Sequence, residues 1–126
     1  MPARTPEDCD HLLGEYLGSG SVEDILTLYE ADATFVTQDR QPLGGHAALR
    51  EVMTAFASAR PRLSVNLVMV ARQGDDLAVI YNDWTLTAVG PDGKTVEQSG
   101  RAIEVVRRQP DGTWRFAFDD PFARGM

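Results

Sequence analysis

The stretch AIEVVRRQPDGTWRFAFDD, residues Ala102–Asp120, decides the fold. It reads as two strands rich in β-branched and aromatic residues, joined by the turn residues Pro110, Asp111 and Gly112. Within the first strand, Glu104 stands between Ile103 and Val105. An unpaired carboxylate buried there would be costly or would take up a proton. Glu104 therefore faces water, a partner, or a pocket that uses it.

The same grammar extends upstream. Strands are expected over Leu63–Arg72, Leu77–Val89, Lys94–Arg108 and Thr113–Phe118, separated by QGDD, GPDG and QPDG. Such spacing makes consecutive strands antiparallel neighbours. The N-terminal half is helical. Thr5 as N-cap, Pro6 in the first turn and Asp8 start a helix whose apolar side carries Cys9, Leu12 or Leu13, Tyr16 and Leu17. GSGS at 18–21 breaks it. Ser21 with Asp24 then caps a second helix, VEDILTLYE, with Ile25, Leu28 and Tyr29 on one face. ATFVTQ reads as a short strand ending near Asp39, and PLGG as a turn. HAALREVMTAFASA forms a third helix with Leu49, Val52, Met53 and Phe56 inward, stopped by Pro61.

Three helices and a run of long strands in one chain of 126 residues make a single α+β domain, residues 1–126. Long strands must bend if short helices are to cover them, and a bent sheet leaves a concave space suited to a ligand. The formal charge of −7 and pI near 4.7 argue against nucleic acid as the main partner. Cys9 is the single cysteine, which excludes an internal disulfide and a cysteine metal cage. His11 and His46 show no ligand spacing, and GxSxG, P-loop and GxGxxG patterns are absent. The polar N-terminus lacks the apolar core of a signal peptide and no apolar run reaches membrane-spanning length, so a cytoplasmic protein without membrane contact is expected.

The segments LYEADATFV, LGGHAALREVM and EVVRRQPDGTWRF, taken together, resemble the nuclear transport factor 2-like superfamily, in its ketosteroid isomerase-like and SnoaL-like branch. The resemblance covers nearly the whole chain. It implies a cystatin-like, cone-shaped barrel in which a strongly bent, mostly antiparallel sheet packs on three N-terminal helices. It also implies a small hydrophobic or aromatic ligand and a homodimer formed through the sheet. If the chain is an enzyme, the implied chemistry is acid–base isomerisation, cyclisation or dehydration without metal or cofactor. The alternative is a noncatalytic homodimeric binding or association module.

The resemblance can be carried over residue by residue. Ketosteroid isomerase uses an Asp base with an oxyanion hole of a Tyr and a protonated Asp. Thr37 falls at the position of the base, where a hydroxyl cannot replace a carboxylate. Asp39, two residues on, is either a displaced base or a solvated turn residue. Leu13 falls at the position of the tyrosine, and Tyr16 is either a hydroxyl donor one turn along or a core tyrosine. Glu104 falls at the position of the acid, facing either the pocket as a protonated donor or an arginine across an interface. Arg101 is three residues from Glu104 and so faces the other side of the strand, which weakens any likeness to limonene epoxide hydrolase. Asn82 and Trp84 lie on an aromatic-lined strand face, and Phe56 lies on the inner side of the third helix. Trp114, Phe116 and Phe118 alternate as one core or interface stripe. On the opposite parity, Asp119 is assigned to solvent, or to the pocket mouth if it takes part in binding.

Overall fold

A capping box starts the chain's first element: the Asp8 amide donates to the Thr5 hydroxyl (3.3 Å) and the Thr5 amide to the Asp8 carboxylate (3.1 Å). A computed structural model describes residues 2–125. Helix α1 (Pro6–Ser19) is followed by α2 (Val22–Leu26), strand β1 (Tyr29–Val36), strand β2 (Pro42–Gly44) and helix α3 (His46–Ala57). Four long strands complete the chain: β3 (Arg62–Gln73), β4 (Leu77–Val89), β5 (Thr95–Arg108) and β6 (Trp114–Asp120). The sheet order is β2-β1-β6-β5-β4-β3, antiparallel throughout except for the parallel pair β1–β6. This is the bent α+β sheet over N-terminal helices that the cystatin-like pattern calls for.

Three local readings change. The second helix ends at Leu26 and not at Glu30, because Leu28 and Tyr29 are drawn into the sheet: the Phe116 amide donates to the Leu28 carbonyl (2.7 Å) and Tyr29 pairs with Phe116. Ser21 is the N-cap of that helix, with its carbonyl accepting from the Ile25 amide (3.1 Å), but its hydroxyl accepts from no helix amide and donates to the Asp24 carboxylate (2.7 Å). Most of the expected PLGG turn is strand β2, which pairs with β1 from Thr34 to Val36.

The core lies between the inner sheet face and the helices, with Ile25, Leu28, Tyr29, Leu49, Ile80, Val106 and Phe116 fully enclosed. Burying side chains of this size stabilises the fold by roughly 1.5–3 kcal/mol each. Two single-residue bulges shape the sheet. In β3, Leu67 pairs with Asn82 but Met69 pairs with Tyr81, leaving Val68 as the extra residue. In β6, Val106 opposes Phe116 while Val105 opposes Phe118, leaving Ala117 as the extra residue. A bulge bends its strand and reverses the alternation of side chains beyond it. Phe118 therefore leaves the face occupied by Trp114 and Phe116, and Asp119 turns inward in its place.

Candidate functional site

Between the helices and the inner sheet face lies a cavity of about 210 Å³. Its walls are mainly apolar: Leu13 and Leu17 from α1, Val52, Met53 and Phe56 from α3, Phe35 from β1, and Leu63 and Val65 from β3. Gly100 shapes one side. A Cβ there would stand 2.6 Å from the Trp84 ring and 2.7 Å from the Pro121 carbonyl, so only glycine lets the indole lie against β5. The Trp84 indole N–H donates to the Pro121 carbonyl (2.8 Å), and its ring meets Phe122 edge-on with centroids 5.4 Å apart. Thr37 and Gln98 are partly exposed and Gln38 is exposed, which marks the open end.

The other end is closed and polar. Asp10 from α1, Tyr29 from β1, Asn82 from β4, Glu104 from β5 and Asp119 from β6 all line the cavity and are all buried. Glu104 is 4% exposed and sits directly across from Asp119 in the β5–β6 register. Two like charges in that relation repel. The Asn82 amide nitrogen donates to Glu104 (3.1 Å) and to Asp10 (3.4 Å), while the Tyr29 hydroxyl donates to Asp119 (2.6 Å). Among the described residues lining the cavity there is no Lys, Arg or His.

Charge without a counter-ion sets the protonation of this end. Burial, then the Asp10 and Asp119 carboxylates, hold the Glu104 carboxyl well above the usual range, and a proton shared with Asp10 follows from their hydrogen bond. Burial also raises Asp10, opposed by its hydrogen bonds to Glu104 and Asn82. Asp119 is pushed up to about 7 by burial, against the Tyr29 hydrogen bond that favours its ionised form. The Tyr29 phenol is driven upward by burial and by Asp119, and so it remains a donor. Cys9, buried beside this cluster, is also shifted upward, chiefly by burial, and holds its thiol proton.

The cavity gathers Glu104, Asn82, Trp84, Thr37, Phe56 and Asp119, which the sequence singles out. Asp119 is not at the mouth or in solvent but at the closed end, because the Ala117 bulge reverses its parity. Two candidates lie elsewhere. Tyr16 is about 100° around α1 from Leu17 and lines an outer depression with Asp24, Thr27 and Trp114. Asp39 is exposed in the turn after β1, where it accepts the Thr37 hydroxyl. Their places in the cluster are taken by Tyr29 and Asp10, which the sequence reading leaves out. Asp10 has a readable signal: with Leu13 and Leu17 it forms an i, i+3, i+7 stripe, a carboxylate on a helix's buried face.

Solved structures share this architecture. A candidate calcium/calmodulin-dependent protein kinase type II association domain from Thiobacillus denitrificans is 25% identical, with a TM-score of 0.76 over 97% of this chain and 98% of that one. A ketosteroid isomerase-like protein from Erwinia carotovora atroseptica is 14% identical, with a TM-score of 0.76 over 90% and 89% of the two chains. An NTF2-like protein with a cystatin-like fold from Novosphingobium aromaticivorans is 17% identical, with a TM-score of 0.76 over 94% and 80%. No curated protein matches the chain. The family model for the SnoaL-like domain matches residues 13–117, from the cavity face of α1 to the bulge of β6, and the chain belongs to that family.

Proposed function

We propose that this protein binds a small hydrophobic molecule in the cavity and moves a proton on it at the closed end, in an isomerase, cyclase or dehydratase type of reaction. The observation that carries this reading is a buried set of three carboxyl groups at the end of an apolar cavity with no cation among the described lining residues. Asp119, with a pKa of about 7, is suited to both accepting and returning a proton near neutral pH. Glu104, held protonated, serves as hydrogen-bond donor or anchor, and Tyr29 keeps the Asp119 carboxylate in place. Trp84 and Phe56 enclose the ligand body, while Thr37 and Gln98 flank its entry.

The test is native mass spectrometry of the freshly purified protein, with denaturing extraction of any retained compound. A stoichiometric apolar molecule is expected. Its turnover should fall at least a hundredfold in Asp119→Asn, a usual scale for loss of a general acid–base group. Unchanged retention and turnover in both Asp119→Asn and Glu104→Gln would remove the reading.

The noncatalytic alternative has its own support in the outer sheet face. Beyond the Val68 bulge, Met69 is 47% exposed, and the register sets it beside Tyr81 and, one strand further, Ile103. A second copy packed on this apolar face would form a homodimer through the sheet. Sedimentation velocity should give a dimer that Met69→Lys dissociates; a monomeric parent protein would dismiss it.

A further inference from the structure

The polar atoms at the closed end are mismatched in a direction that points to a ligand class. Asn82 is 1% exposed, and its amide nitrogen is committed to Asp10 and Glu104. That fixes the amide's orientation, and its other atom, Oδ1, is buried without a hydrogen-bond partner. A buried acceptor left in this state is costly, so the site calls for a donor from outside the chain. The Tyr29 hydroxyl does not supply it, since its proton goes to Asp119. Around Asn82 stand three carboxyl groups, and the described cavity lining offers no cationic side chain.

We propose that the closed end receives a protonated amine, so that the cavity's ligand is a hydrophobic ammonium ion with an aromatic or alicyclic body. This rests on the ligand-binding reading above and names the chemical class of its ligand. An ammonium group has up to three donors and no acceptor, the complement of one amide oxygen and a carboxylate cluster. The rings of Phe35, Phe56, Trp84 and Phe122 line the remaining volume and suit an aromatic or alicyclic body. A ligand carboxylate would add a fourth carboxyl group to the three already there and bring no donor for Asn82 Oδ1. A ligand carbonyl would add another acceptor beside Asn82 Oδ1 and leave that atom unpaired. The chain's formal charge of −7 also favours the approach of cations over anions.

The pH dependence follows from the groups that face the cluster. These are Asp10 and Cys9 from α1, Tyr29 from β1, Glu104 from β5 and Asp119 from β6. The contributions of α3 (Val52, Met53, Phe56), β3 (Leu63, Val65) and β4 (Asn82, Trp84, Leu86) do not titrate. Falling pH protonates the carboxylates while the amine stays charged, so ammonium affinity falls with pH.

The experiment is calorimetric titration of the full chain with three compounds of one shape: 1-naphthylmethylamine, 1-naphthylmethanol and 1-naphthoate. At pH 7.5 the amine should bind about tenfold or more tighter than the alcohol, and the naphthoate should not bind. The amine's advantage should shrink severalfold at pH 5.5, and in Asp119→Asn at pH 7.5. Circular dichroism of this near-isosteric variant separates loss of preference from loss of fold, and the parent's pH dependence tests the inference independently of it. An alcohol that binds within about threefold of the amine would overturn the ammonium assignment and leave the ligand-binding reading standing. Binding of none of the three, with no retained compound in the native mass spectrum, would overturn both.

Discussion

Carboxylates on the two faces of this sheet meet opposite fates. On the outer face and at the rims four are answered by arginine: Asp120 by Arg40 (2.7 Å), Asp76 by Arg108 (2.7 Å), Glu30 by Arg107 (3.1 Å) and Asp83 by Arg124 (3.1 Å). Inside the cavity, Asp10, Glu104 and Asp119 are held by an amide, a phenol and each other. Asp119 and Asp120 make the contrast between neighbours in one strand. Asp120 has a guanidinium beside it, whereas Asp119 has only burial and a neutral donor, and burial raises its pKa to about 7. The outer pairs trim the surface, and the inner set stores a labile proton.

The comparison breaks most sharply if its inner side loses a donor. Asn82→Leu removes the amide that serves both Asp10 and Glu104, and should destabilise the fold by about 3 kcal/mol in urea unfolding, since two buried carboxyl groups lose a partner. The next effect is a pH profile. Asp119 rises from 3.8 to about 7 on folding, so its contribution favours the native state below pH 4 and is lost as pH climbs through 7. Stability of the parent should therefore fall between pH 4.5 and 8 by up to about 4 kcal/mol from this group, and Asp119→Asn should flatten that part of the curve. Tyr29→Phe removes the 2.6 Å hydrogen bond to Asp119 and should cost about 1.5 kcal/mol, more at pH 8 than at pH 5 because the carboxylate is then ionised. Two-dimensional NMR titration should show the Asp119 pKa moving further up in that variant. The outer side should respond least. Arg108 and Asp76 are 45% and 69% exposed, so Arg108→Ala gives up only an exposed ion pair. Thermal unfolding should change by less than about 1 kcal/mol.

The same contrast separates what the sequence discloses from what it hides. The long strands are legible because glycine turns bracket them, and the observed ends of β3, β4, β5 and β6 fall within two residues of the expected ones. Glu104 is legible because a carboxylate interrupts an apolar strand face. Tyr29 is hidden by periodicity: it continues the α2 spacing after Ile25, yet pairing with Phe116 draws it into β1, a tertiary preference that outweighs local propensity. Asp119 is named by the sequence but its place at the closed end is hidden by parity, since no glycine or proline at 117 announces a bulge. Tyr16 and Asp39 attract attention through alignment with a family position, but neither the helical phase of α1 nor the turn after β1 brings them to the cavity.

The extra residue at Ala117 also divides β6 into two halves that can change independently. Upstream of it, Trp114 and Phe116 supply apolar volume to the core; downstream, Asp119 supplies chemistry to the same inner side. Loss of that one codon would restore a regular ladder in the register already present, with Phe118 on Val105 and Asp119 on Glu104, so Asp119 would keep its inward place. What would turn the acidic chamber into an oily one is regular pairing with Ala117 retained, which would set Phe118 opposite Glu104. One alanine thus lets an apolar core half and a carboxylate-bearing half share the inner face of a single strand.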